Sequence, residues 1–67
     1  MDILKTIGQN IARTRREQKL TQEDLCGMAE IDRSYLSEIE NGKMNVTIKS
    51  LQIIADVLNV TIKDLLE

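Results

Sequence analysis

"LTQEDLCGMAEIDRSYLSEIENGK", Leu20 to Lys43, holds two short helices and a three-residue turn. Thr21 is a good N-cap, and Asp24 three residues on completes a capping box, so a helix opens here and runs to about Ala29. Leu25, Cys26 and Met28–Ala29 form its apolar side. Asp32 is a second N-cap. It begins a helix whose buried side is Leu36 and Ile39, and Asn41-Gly42 offers the left-handed step that ends it. Only Glu30-Ile31-Asp32 separates the two, and so tight a turn makes them cross steeply, as in a helix-turn-helix. Ile31 plugs the angle between them, and Cys26 reads as a small buried hydrophobe that allows close approach. The outer face of the later helix carries Arg33, Ser34, Ser37 and Glu38. A helix made only to be solvated needs no such mixture of hydrogen-bonding groups.

Outward from this pair, Ile3, Leu4, Ile7 and Ile11 recur at helical spacing and predict an amphipathic helix from residue 2 to about 18. Lys19-Leu20 breaks that pattern. On the other side, "KMNVT" is a loop, and Thr47 caps a fourth helix through about Leu58. Ile48, Leu51, Ile54, Ala55 and Leu58 form its apolar stripe. Thr61-x-x-Asp64 repeats the capping-box pattern and opens a short fifth helix with Ile62, Leu65 and Leu66 apolar. No linker, repeat or low-complexity segment intervenes, so residues 1–67 are expected to form a single all-α domain.

Composition agrees. The chain is 42% hydrophobic and 1% aromatic, with no Pro, so its one small core must be aliphatic. There is no His and one Cys, which leaves no metal-ligand cluster and no intramolecular disulfide. Neither a nucleophile–base pair nor a phosphate-cradling Gly loop appears, so an enzyme is not expected and no cofactor is called for. No apolar run approaches a membrane span and the first residues lack a signal-peptide pattern, which predicts a soluble, cytoplasmic protein without a membrane partner. The net charge of −2 argues weakly against nucleic acid, but its distribution matters more. Residues 1–20 carry five basic and two acidic side chains, and residues 21–32 four acidic and none basic. Such asymmetry can steer a polyanion even from an acidic whole.

The motif set of Leu20, Thr21, Gln22, Leu25, Leu36, Ser37, Ile39, Glu40, Asn41 and Gly42 resembles the helix-turn-helix of the Cro and phage-repressor-like family. With the flanking helices the resemblance covers nearly the whole chain. It implies a five-helix domain of the lambda-repressor-like type, binding duplex DNA as a transcriptional regulator. Two positions depart from the pattern: Cys26 stands where Ala is frequent, and Glu30 where the turn usually has Gly. "DRSYLSEIENGKMNVTIKSLQIIADVLNV" is similar in particular to controller proteins of restriction–modification systems, small dimeric regulators with little beyond this domain. A phage-type repressor, or an antitoxin-like protein-interaction regulator on the same scaffold, is the alternative.

On that resemblance the third helix lies in the major groove with its N-terminal residues toward base edges. Arg33 is the foremost reader, because its planar fork matches the O6 and N7 of guanine. Ser34 and Ser37 can bond a base or a phosphate, and Glu38 can accept from cytosine N4 although it repels phosphate. Tyr35, the one aromatic residue, either reaches the DNA with its hydroxyl or packs on the domain edge. Phosphate contacts fall to Thr21 and Gln22 at the start of the second helix, and to Asn41, Lys43, Asn45 and Lys49 after the third. The resemblance further implies that the Gln22 amide holds the N-terminal side chains of the third helix, and that Arg15 pairs with Glu40. Arg13 and Arg16 face phosphate or solvent. A homodimer on a pseudo-palindromic operator is expected, with its interface among Val46, Val57, Val60, Ile62, Leu65 and Leu66, and RNA polymerase as a further partner.

Overall fold

Each helix begins where a short oxygen-bearing side chain can take up free backbone N–H groups. The computed structural model describes residues 2–67 and contains α1 (Ile3–Glu17), α2 (Gln22–Ala29), α3 (Arg33–Glu40), α4 (Ile48–Leu58) and α5 (Ile62–Leu66), with no strand among the described residues. Asp2 accepts from the backbone N–H of Leu4 and Lys5, and Thr47 from that of Ser50. Thr21 with Asp24 and Thr61 with Asp64 form reciprocal capping boxes. Asp32 is the exception. It stands at the N-cap of α3 but makes no side-chain cap bond, against the expectation from its type.

The exits are left-handed. Gly42 has φ +70°, and Lys19, Glu30 and Asn59 take φ of 60°, 56° and 59°. Glu30 thus adopts the conformation for which the turn ordinarily uses Gly, at a cost of roughly 1 kcal/mol. The payoff is geometric: the Ile31 N–H reaches back to the Cys26 carbonyl at 3.1 Å, closing α2 and turning the chain into α3.

The core is aliphatic. Ile11, Leu25, Leu36, Ile39, Ile54, Leu58 and Leu65 are fully buried, one or more from every helix. α1 is the spine, packing against α3, α4 and α5. Its Gly8 faces the last turn of α3, where an added Cβ would overlap the Ile39 carbonyl oxygen and come within 2.6 Å of that of Glu40. One amide on α1 and one at its C-cap serve as ties to the C-terminal half. Asn10, buried, donates to the Leu65 carbonyl at 2.8 Å, and Gln18 to the Leu58 carbonyl at 2.6 Å. These carbonyls end helices and have no partner within them.

The apolar periodicity overreaches at the stripe edges. Met28 and Ile48, expected on buried faces, are 55% and 74% exposed. Both lie at the edge of a stripe whose core members, Ala29 and Leu51, are buried. Ile3 is likewise largely exposed, at the free end of α1.

Candidate nucleic-acid interface

α3 has eight residues and two dissimilar ends. At its C-terminal end Arg15 Nε donates to Glu40 Oε2 at 2.8 Å and Nη2 to Oε1 at 3.1 Å, a bidentate pair. The third Arg15 bond, Nη1 to the Leu20 carbonyl at 2.8 Å, fixes the chain between α1 and α2. Both side chains are buried, 9% and 6% exposed. Hydrogen bonding to Glu40 raises the Arg15 pKa above its ordinary value, against the opposing effect of burial. Glu40 Oε1 also accepts from Gln22 Nε2 at 3.0 Å. The Gln22 amide therefore holds the far end of α3, not its N-terminal side chains as the resemblance implies. The reason is acceptor strength: a buried carboxylate outcompetes the serine hydroxyls of the first turn.

At the N-terminal end the side chains are free. Arg33, Ser34 and Glu38 are exposed and Ser37 half-buried, and among the described residues Arg33 has no carboxylate within ion-pair distance. Gln22, Arg33, Ser34 and Ser37 line an open cleft of about 250 Å³ between α2 and α3. The cleft presents a guanidinium, two hydroxyls and an amide together, so it can both donate to and accept from a flat polar edge. Tyr35 is half-buried against the core. Of its two readings the packing one has a contact to stand on.

Around this face lie the remaining candidates. The Thr21 hydroxyl is occupied as the acceptor of its capping box. Asn41 gives one N–H to the Ser37 carbonyl at 2.9 Å, while Lys43, Asn45 and Lys49 are exposed on and beyond the loop after α3. Cys26 is buried behind the pair, and burial pushes its thiol pKa up, which suits packing and not reactivity.

One assignment is corrected. Leu65 is fully buried, packed into the core with its carbonyl bonded to Asn10, so it is unavailable to a second chain. Val46, Val57, Val60 and Ile62 are partly buried against the core, and Leu66 is 38% exposed. Sequence reading also passes over Gly8 and Asn10. The available signal was a glycine and an asparagine on either side of a helix's apolar stripe, where each needs a packing reason.

A helix-turn-helix family model matches residues 11–65. Control protein C.MunI of Mycoplasma sp is 37% identical over 65 residues, spanning 96% of this chain and 88% of that protein. The crystal structure of the restriction-modification controller protein C.AhdI from Aeromonas hydrophila is similar at a TM-score of 0.89 and 31% identity, covering 92% of this chain and 94% of that one. SinR, the master regulator for biofilm formation, was solved in complex with DNA. It is similar at a TM-score of 0.85 and 37% identity, covering 91% of this chain and 98% of that one.

Proposed function

Because the chain belongs to the helix-turn-helix family of transcriptional regulators, we propose that residues 1–67 act as one domain that reads duplex DNA by laying α3 in the major groove. The observation that carries this reading is the cleft lined by Gln22, Arg33, Ser34 and Ser37, where the α3 side chains stay uncommitted while the Gln22 amide and Arg15 lock the far end of the helix. Arg33 takes the guanine edge, with Ser34, Ser37 and Glu38 as neighbouring readers and Tyr35 at the margin. Gln22, Thr21, Asn41, Lys43, Asn45 and Lys49 supply strand contacts that fix register without carrying sequence information.

The regulator works as a two-fold dimer. The described chain measures 30 Å along its longest axis, and successive major grooves on one face of DNA recur about every 34 Å. A single chain therefore reads one half-site, and tight specific binding requires a second copy. With Leu65 withdrawn, the self-complementary patch centres on Leu66 and the exposed parts of Val57, Val60 and Ile62. Control of a restriction–modification system is the favoured setting, since C.MunI and C.AhdI are matched over most of their own lengths. The likeness to DNA-binding regulators favours a cytoplasmic, non-enzymatic role, with RNA polymerase as the partner through which bound protein alters transcription. No helix among the described residues is long and apolar enough to cross a membrane.

A duplex enriched from a random pool and titrated over a salt series tests the central claim. Affinity should fall steeply and linearly on log–log axes, by about 0.9 per phosphate neutralised. Absent or salt-independent binding would refute it. Sedimentation equilibrium checks the dimer: Leu66→Asp should leave a folded monomer, and a wild-type chain that stays monomeric on operator DNA removes the symmetric model.

A further inference from the structure

We infer that the cleft between α1 and the exit of α3 is a second seat for a backbone phosphate, formed by Lys5, Gln9 and Asn41. The inference rests on the DNA reading above and extends the protein's footprint onto α1. This cleft, about 280 Å³, is lined by Lys5, Gln9, Glu40 and Asn41, on residues outside the reading cleft. Three of the four offer N–H donors. Lys5 brings an ammonium, Gln9 an amide, and Asn41 the N–H that remains after its bond to the Ser37 carbonyl.

The one acid in the lining does not oppose an anion as a free carboxylate would. Both Glu40 oxygens are engaged, one by Arg15 alone and the other by Arg15 and Gln22, so its charge is compensated from the inner side. Lys5 has no such compensation. The ion pairs among the described residues are Arg15–Glu40 and Lys63–Glu67, and the neighbouring Asp2 spends its Oδ1 on the backbone N–H of Leu4 and Lys5. The cleft thus carries an unpaired positive charge flanked by neutral donors, which fits a singly charged phosphodiester.

Position supports the same ligand. Gly42, in its left-handed turn, lies so close to α1 that an added Cβ would stand 2.9 Å from Lys5 Cγ. The Lys5 stem is therefore laid against the backbone between Asn41 and the exposed Lys43. Lys5 and Asn41 meet in the cleft, the exposed Lys43 follows two residues after Asn41, and Arg16 lies on the Lys5 face of α1 at helical spacing with Arg13 toward its edge.

The test uses the full chain and the enriched duplex, reading the slope of log affinity on log salt. Lys5→Gln, at an exposed site, should make the slope shallower by about 0.9 per protomer while base preference stays unchanged. Gln9→Lys should make it steeper by a similar amount. Lys63→Gln, on α5, should match wild type. If Lys5→Gln and Gln9→Lys both keep the wild-type slope, the cleft is merely solvated and the seat is refuted, with the reading helix untouched. If wild type itself shows no salt-dependent duplex binding, the DNA reading and the seat fall together.

Discussion

The two ends of α3 are built on opposite terms. Around Glu40 and Asn41, every polar group that turns inward has a partner: Arg15 and Gln22 hold the carboxylate, and Gly8 lets α1 press against the last carbonyls. Around Asp32 and Arg33, even the cap is left unmade, and the side chains point to solvent without ionic partners. Eight residues thus divide into an anchor and an uncommitted edge. A recognition helix must hold its orientation while keeping donors and acceptors uncommitted, and bonding both ends would satisfy the groups that a base edge is meant to satisfy.

The contrast breaks most decisively at the anchor. Arg15→Ala or Glu40→Ala should destabilise the domain by about 3–5 kcal/mol, because each strands a buried charge. Urea unfolding measures this. The double variant should recover at least about 1 kcal/mol relative to the sum of the single losses, and additivity would mean the pair is not coupled. Gly8→Ala follows, expected to cost about 1–3 kcal/mol by forcing α1 off α3, again read in urea.

At the other end the expectation inverts. Arg33→Ala should leave unfolding within about 0.5 kcal/mol of wild type, yet cost about 1–3 kcal/mol of discrimination at one base position per half-site. Binding-site selection with the variant reads this directly. A large stability loss at Arg33 would erase the distinction between the two ends.

The smallest effect sharpens the capping side of the comparison. The Thr21 backbone N–H, aided by its hydroxyl, lowers the Asp24 pKa below the usual carboxylate value, and Thr61 does the same for Asp64. A lowered folded value means the stabilisation is complete above the ordinary carboxylate pKa and is lost as pH falls through the folded one. Asp24→Asn and Asp64→Asn should therefore each flatten the acid limb of a stability–pH profile, and a limb that keeps its wild-type slope would detach these caps from the acid transition.

Much of the architecture was legible in the sequence because capping chemistry is local. Thr21 with Asp24, Thr47, Thr61 with Asp64, and Asn41-Gly42 announce boundaries by what a side chain can bond within three or four residues. Periodicity was less complete. It says which residues share a face, not how far a neighbour extends over it, so Met28 and Ile48 were expected inside and lie out. Leu65 shows the same limit in reverse: the apolar side of a short terminal helix looks alike whether α1 covers it or a second chain does. The partner of the Gln22 amide was likewise invisible, since the choice between the two ends of α3 depends on where Glu40 stands in space.

The ties from Asn10 to Leu65 and from Gln18 to Leu58 reach across 55 and 40 residues of sequence. They tie α1 and its C-terminal cap to the closing carbonyls of α5 and α4. While α5 is still threaded in the ribosome, α1 faces an incomplete core and two carbonyls that have not yet arrived. A chain ending before Leu65 is therefore expected to leave the buried Asn10 amide without its acceptor and the core open on the α5 side, a state favourable to proteolysis.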